Sequence, residues 1–300
     1  MGEVRDAVIL AGGKGTRMLP ASLYIPKETL PLIDTPLINH LIWEAAKAGV
    51  RRVHVVLSEK KKDILEDFFE RGTIHNEEVR RDLPRSALSL GVEGVEIIPH
   101  VQRMAGGVAD AISSAISHID GPFIVLLGDM LLMESHVGPS HSGKEFASSA
   151  SLELVSKFRQ TGLPNVGVCS VPMSEVGNYG VVELSGDKII QITEKPELNE
   201  APGNLVLCGR YLFTDNVASI LEEYPVSKFG EMQSIHIMRH LIENSGLNAV
   251  ILDHMKMYDS GDPLSWLKSQ VDHALNREDM GDGFFQWIKQ KISGMEREEN

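Results

Sequence analysis

The 300-residue sequence predicts an α/β domain with a central mixed, mostly parallel sheet flanked by helices, in a Rossmann-like arrangement. Two patterns carry that expectation. The first half alternates short β-branched or apolar runs with longer helical segments, whereas the second half groups its strand-like runs behind turn-length connections. Scale agrees, because 42% hydrophobic residues over this length can bury a large core without disulfide or metal staples.

Residues 6–11 read as a buried strand and residues 12–31 as a long loop rich in Gly and Pro. A helix is expected over about 36–48, with Thr35 as N-cap, Pro36 at the first helical position and Gly49 just past its end. Residues 52–57 form the second strand, after which Ser58 is expected to cap a helix that ends near Gly72. Residues 95–99 form the third strand, 105–119 a helix with a glycine-containing start, and 123–127 the fourth strand. This βαβα order implies parallel, doubly wound pairing. The runs 166–171, 179–184, 188–193 and 205–213 are then strands of a mixed or antiparallel part, and Ser185-Gly186-Asp187 suits a hairpin turn. Helices follow at about 216–223, 231–244 and 263–275, and a last amphipathic piece carries Phe284, Phe285, Trp287, Ile288 and Ile292. The Ser-, Gly- and His-rich stretch 135–143 reads as a mobile loop or an insertion. No repeat and no linker divides the chain, so a single domain over 1–300 is expected.

The formal net charge of −13 opposes binding to nucleic acid or to an anionic lipid surface, so any phosphate ligand needs a local site. The apolar run 7–11 is too short for a signal segment and follows Glu3, Arg5 and Asp6, and no run reaches membrane-spanning length. Cys169 and Cys208 lie far apart in apolar runs and read as buried thiols in a reducing cytoplasm. The acidic tail at Glu296, Arg297, Glu298 and Glu299 reads as a solvated end.

The sharpest chemical signal follows the first strand: Ala11-Gly12-Gly13-Lys14-Gly15-Thr16-Arg17-Met18-Leu19-Pro20. Its glycines let backbone N–H groups approach a phosphate, and loops at the C-terminal ends of parallel strands are where α/β sheets bind ligands. A plain turn explains the glycines but not Arg17 and Lys27, two cations on a loop stiffened by Pro20, Pro26 and Pro31. Cations beside a glycine nest suit a triphosphate. A dinucleotide fingerprint does not fit, since Met18 stands where its third glycine belongs. A Walker A loop does not fit either, because the near match 138–145 ends in Glu145 and no strand leads into it. His236 and His240 stand at helical spacing without the Glu of a zinc protease between them.

The run AGGKGTRMLPASLYIPKETLPLIDTPLI resembles the signature of nucleotidyltransferases that make nucleotide sugars, and its ending resembles the bacterial-type UTP:glucose-1-phosphate uridylyltransferases. The resemblance spans nearly the whole chain. It implies a nucleotide-diphospho-sugar transferase fold with a nucleotide-binding half at about 1–130, a sugar-binding half at about 150–262 and C-terminal helices at about 263–300. Ala11, Gly12, Gly13, Gly15 and Thr16 would hold the nucleotide, Arg17 and Lys27 its phosphates. Gln102 would read the pyrimidine base, with Gly107 close by; the family's uridylyltransferases usually carry a Lys where this chain has Gly106. Asp129 falls where the family holds a magnesium ligand, and Asp259 matches the second metal-site aspartate, near Asp253 and Asp262. Tyr179-Gly180-Val181-Val182 and Glu194-Lys195-Pro196 resemble the family's sugar-side motifs, so Gly180 and Glu194 would contact glucose and Lys195 its phosphate. Gly230-Glu231-Met232-Gln233-Ser234 departs from the family's Gln-Leu-Thr segment. The implied reaction joins UTP and glucose 1-phosphate with Mg²⁺ as cofactor, and a homo-oligomer is the expected assembly, although no residue dictates it.

Overall fold

The computed structural model describes residues 2–63, 83–84, 87, 91–104, 106–223 and 233–298. The strands are β1 (Asp6–Leu10), β2 (Pro31–Leu32), β3 (Thr35–Pro36), β4 (Arg52–Ser58), β5 (Glu96–Gln102), β6 (Phe123–Leu127), β7 (Met130–Met133), β8 (Asn165–Ser170), β9 (Gly180–Ser185), β10 (Lys188–Glu194), β11 (Leu205–Phe213), β12 (Asn248–Ile251) and β13 (Lys256–Asp259). The helices described here are α1 (Leu37–Lys47), α2 (Gly107–Ile116), α3 (Ala150–Thr161), α4 (Val217–Glu223), α5 (Ser234–Asn244), α6 (Pro263–Asn276) and α7 (Gly281–Glu298).

A nine-stranded sheet runs in the order β5-β4-β1-β6-β11-β8-β12-β10-β9. β5, β4, β1 and β6 are parallel neighbours, and β12 is parallel to β8; β11 opposes β6 and β8, and β10 opposes β12 and β9. Two of the nine strands, β10 and β11, therefore run against the other seven, which is the mixed, mostly parallel sheet expected. Strand alternation explains why it is covered on both faces. Ala7, Ile9, Val53, Val55, Ile124 and Leu126 pack with Leu41 and Ile42 of α1 and Leu154 and Phe158 of α3. Val8, Val56, Phe123 and Val125 point the other way, to Ala109 and Ile112 of α2 and to α4 and α5.

Several elements depart from the sequence expectation. Thr35 does not cap α1: Thr35 and Pro36 pair with Leu32 and Pro31 in a short hairpin, and Pro36 takes the cap position with extended ψ and no side-chain bond. Ser58 makes no side-chain cap bond to the 3₁₀ turn Glu59–Lys61, and the remainder of the helix expected to end near Gly72 lies largely outside the described residues. Helix α3 and strands β7, β12 and β13 add to the elements read from sequence. Residues 135–143 contain the 3₁₀ turn Pro139–His141, and His136 Nδ1 meets His273 Nδ1 of α6 at 3.0 Å. On α7, Phe285 and Trp287 stay exposed, so this helix does not bury its whole apolar face against the chain's own core. Cys169 and Cys208 are free and buried. Among the described residues no helix is long and apolar enough to cross a membrane.

The two halves meet at a buried charge. β11 pairs with β8 through a register shift between Leu207 and Tyr211, and Gly209 sits inside it at φ 73°, where a Cβ would lie 3.1 Å from Leu127 Cβ. This bulge accompanies a fully buried Arg210. Its Nε donates to Glu44 Oε1 (2.7 Å), its Nη2 to Glu44 Oε2 (2.9 Å) and to Met130 O (3.0 Å), while Ser151 Oγ donates to Glu44 Oε1 (2.6 Å). One guanidinium thus ties β11, α1, β7 and, through Glu44, α3. Glu44→Ala leaves that cation buried without its carboxylate and is expected to lower stability by about 3–5 kcal/mol, read as a lower urea midpoint at an unchanged m value. Removing both charges with Glu44→Leu and Arg210→Met should recover most of the loss.

Candidate active site

The in-register pairing of β1 with β4 and β6 brings three loops to one sheet end. Leu10 lies opposite both Val56 and Leu127, Ala11 N–H donates to Val56 O (2.8 Å), and Gly128 N–H donates to Leu10 O (3.1 Å). Ala11 also accepts Lys61 Nζ on its carbonyl (3.0 Å), so its backbone groups are committed to anchoring the start of the loop. Beyond it the chain lies open. Gly15 adopts φ 63°, and Ser22 Oγ donates to its carbonyl (2.7 Å), closing the glycine segment on itself. Thr16 is exposed at the start of a 3₁₀ turn that also carries the exposed Arg17.

Lys27 is buried on the 3₁₀ turn Lys27–Thr29, forms an ion pair with Asp129 and lies against Gly13, whose Cβ, if present, would be 3.9 Å from its Nζ. The adjacent Glu28 is fully buried. Its Oε2 accepts Lys61 Nζ at 2.8 Å while Oε1 has no partner. Burial pushes the Glu28 carboxyl above the usual range, and the charges of Lys61 and Lys27 only partly offset it. Lys61 and Glu28 support the site although neither stands out in sequence: Lys61 sits in the run Glu59-Lys60-Lys61-Lys62, which reads as a solvated face.

Gln102 ends β5 beside the same loop. Its Nε2 donates to Asp110 Oδ2 (2.7 Å) and to Gly107 O (3.1 Å), and its Oε1 lies where it would stand 2.7 Å from a Cβ on Gly12. A side chain at position 12 would force the Gln102 amide to move. Gly107, at φ 88°, opens α2 and holds Gln102 through its carbonyl.

Asp129 and Asp259 come from segments 130 residues apart and become neighbours through a β-ladder. Asp259 pairs with Met130 across β13–β7, and Ser260 N–H donates to Asp129 O (2.9 Å). Burial opposes the charged form of Asp129, but the charge and hydrogen bond of Lys27 outweigh it and hold the carboxyl below the usual range. Burial pushes Asp259 the other way. Gly261 N–H, which donates to its Oδ1 at 2.6 Å, counters that rise in part, and the charge of Asp129 adds to it. Arg17 reaches this pair as well: its Nη2 would lie 2.7 Å from a Cβ on Gly261. The other two aspartates near Asp259 have different partners. Asp253 accepts Ser170 N–H (2.6 Å) and Oγ (2.8 Å), and Asp262 caps α6 by accepting Leu264 and Ser265 N–H (3.0 Å each).

The second half closes the site. Glu194 and Gly180 are paired across β10–β9, with Glu194 Oε2 placed 3.1 Å from a Cβ position on Gly180. Lys195 follows at φ 44°, a left-handed conformation for a non-glycine residue, held by its N–H donating to Tyr179 O (2.9 Å). Such strain points to a residue whose side-chain direction matters. Arg17, Asp129, Gly180, Glu194, Lys195 and Asp259 all line one cleft of about 1060 Å³. Lys27 joins that set through Asp129, and Gly12, Gly13, Gln102 and Gly107 continue it along the glycine loop.

The donor set at Asp129 and Asp259 is two carboxylates, which suits a hard divalent cation such as Mg²⁺. Asp259, raised by burial with the Asp129 charge beside it, is the kind of group a cation would relieve. Among the described residues another grouping, Glu134, Glu153 and His254, has ligand atoms within 4.8 Å of one another. Glu134 already bonds outside the group, to Lys47 and Ser149, and within it His254 Nε2 lies 3.0 Å from Glu153 Oε1.

The profile of the nucleotidyl transferase family matches residues 6–274. The UTP--glucose-1-phosphate uridylyltransferase of Haemophilus influenzae is 33% identical over 94% of this chain and 97% of its own length. A UTP-bound UGPase from Acinetobacter baumannii superimposes with a TM-score of 0.77 at 27% identity, covering 95% of this chain and 99% of its own. A UDP-glucose pyrophosphorylase complexed with UDP-glucose superimposes with a TM-score of 0.75 at 29% identity, over 90% and 98% of the two chains. With the family profile spanning most of the sequence and the relatives aligned nearly end to end, the chain belongs to the nucleotidyl transferase family.

Proposed function

We propose that the chain transfers the uridylyl group of UTP to glucose 1-phosphate, forming UDP-glucose and releasing pyrophosphate. One observation carries the reading: Arg17, Lys27, Asp129, Lys195 and Asp259, from distant stretches of sequence, gather around a single cleft beside a glycine loop. The uridylyltransferase relative and the UTP- and UDP-glucose-bound structures support this choice of substrates.

In this reading Gly12, Gly13 and Gly15 receive the triphosphate, with Thr16 at the loop's exposed end and Ala11 fixing its start. Gln102 meets the base, and Gly180 and Glu194 meet the sugar. A phosphate oxygen of glucose 1-phosphate attacks the α-phosphorus of UTP, the bond to the β-phosphate breaks in line, and pyrophosphate leaves with the electron pair. No side chain needs to act as nucleophile. Arg17 and Lys27 offset charge on the nucleotide phosphates and Lys195 on the sugar phosphate, so positioning and charge compensation supply the rate. Asp129 and Asp259 would hold Mg²⁺. The ion, when bound, offsets the phosphate charges that oppose approach and that build up in the transition state. Lys27 holds the Asp129 carboxyl below its usual range; a triphosphate that draws Lys27 away would leave Asp129 available to the cation. A second copy of the chain would cover Phe285 and Trp287 of α7 and give the homo-oligomer.

The test is a panel of nucleoside triphosphates against sugar 1-phosphates with pyrophosphate as the readout. UTP with glucose 1-phosphate should give the highest kcat/KM, and a higher value for dTTP or GTP would overturn the substrate pair but not the reaction class. Lys195→Ala should raise KM for glucose 1-phosphate at least about tenfold more than KM for UTP, whereas Lys27→Ala should act on UTP and on kcat. Equal effects of both changes on both substrates would contradict that division. Asp129→Asn keeps the shape and removes one ligand charge; kcat should fall by about a hundredfold or more and the Mg²⁺ requirement rise, with the melting temperature showing an intact fold.

A further inference from the structure

We propose that Asp110 is a positioning residue that sets base selectivity, by fixing the Gln102 amide so that it can accept a hydrogen bond from the base but cannot donate one. The inference rests on the uridylyl-transfer reading, in which Gln102 faces the base.

A primary amide offers two N–H donors and one carbonyl acceptor. At Gln102 both donors are spent: Nε2 gives one hydrogen to Asp110 Oδ2 at 2.7 Å and one to Gly107 O at 3.1 Å. Rotating the amide by half a turn would set Oε1 against a carboxylate oxygen and a carbonyl oxygen, so the two neighbours leave one orientation. Gln102 is 8% exposed, too buried for water to satisfy the reversed amide. Its Oε1 is turned towards the glycine loop, at the point where a Cβ on Gly12 would stand 2.7 Å away. Asp110 lies in the first turn of α2, three residues after Gly107, so a short helical segment supplies both acceptors.

A fixed acceptor discriminates among pyrimidines. Uracil presents a ring N–H at position 3, which Gln102 Oε1 can accept. Cytosine presents a lone pair at the same atom, which faces Oε1 with like charge. If the amide could turn, its NH₂ would donate to that lone pair while Oε1 took the exocyclic amine, and cytosine would fit as well as uracil. Gly107 supplies a neutral acceptor only. The charged one comes from Asp110, and a hydrogen bond to a charged partner is the stronger of the two. Thymine shares uracil's ring N–H, so Asp110 separates UTP and dTTP from CTP and not from each other.

The experiment compares kcat and KM for UTP and CTP, each with glucose 1-phosphate, in wild type, Asp110→Asn and Asp110→Leu, alongside calorimetric binding of both nucleotides and a thermal melt. Asp110→Leu frees the amide and should reduce the UTP-over-CTP ratio of kcat/KM by about tenfold or more, through KM and equilibrium binding rather than kcat. Asp110→Asn can still accept from Nε2 but loses the charge and can turn to donate, so its ratio should fall between those of wild type and Asp110→Leu. A Leu variant that binds UTP and CTP more weakly by the same factor, or leaves the ratio unchanged, overturns the proposal. Were Asp110→Leu to unfold, a tenfold-or-greater fall in the ratio for Asp110→Ala would support the proposal, and an unchanged ratio would overturn it. Failure of the uridylyl reading looks different: wild type itself would then turn over ATP or GTP better than UTP.

Discussion

The buried guanidinium of Arg210 joins parts that sequence keeps far apart. It spends donors on Glu44 of α1 and on Met130 O, and the residue before that carbonyl is Asp129. A cation this deep is tolerated only because its partner is bidentate and the remaining oxygen capacity of Glu44 is taken up by Ser151. The consequence reaches the cleft. Strand β7 is held from behind by Arg210 and from the side by β13, so the short Gly128-Asp129 turn between β6 and β7 has little room to move. Gly128 shows how tight that turn is, since a Cβ there would lie 2.5 Å from Leu10 O.

The cleft itself handles charge locally in a chain whose net charge is −13. Cations and carboxylates alternate: Lys61 with Glu28, Lys27 with Asp129, Arg17 beside Asp259. The Lys61–Glu28 pair is the inner layer. It fixes the backbone that presents Lys27, and Lys61 also clamps the carbonyl of Ala11, where the glycine loop leaves β1. Removing Glu28 would leave the Lys61 cation under the loop without its carboxylate, which is a larger penalty than the pair's own net contribution.

How much of this was legible in sequence depended on whether a residue's job is local. The glycine loop, the flanking cations and the strand before Asp129 carry signals within a few residues. Asp259 was readable as one of three nearby aspartates; only tertiary contacts separate it from Asp253, bound to Ser170, and from Asp262, which caps a helix. Strand β7 hides in sequence because its run MLLM follows β6 after a two-residue turn, and β13 is four residues long. Helix α3, with buried Leu154, Val155 and Phe158 set among Ser, Lys, Arg and Gln, has a helical spacing that its polar composition obscures. Thr35 has the chemistry of a cap, but hairpin pairing with Leu32 claims its backbone. Lys61, Glu28 and Asp110 act through partners up to 50 residues away, and no spacing rule reports such contacts.

The ladder that pairs Asp259 with Met130 and seats Ser260 on the Asp129 carbonyl turns the cleft into a gauge of fixed bore. Backbone hydrogen bonds, not flexible stems, set the span between the two carboxylates. Rotamer changes alone can adjust it only by the reach of a two-torsion side chain. Widening it further would require unzipping β13 from β7, and Tyr258 on the opposite side of β13 donates to Asp272 of α6, which resists that opening. A cation held by both carboxylates, as proposed, would then have to conform to the protein.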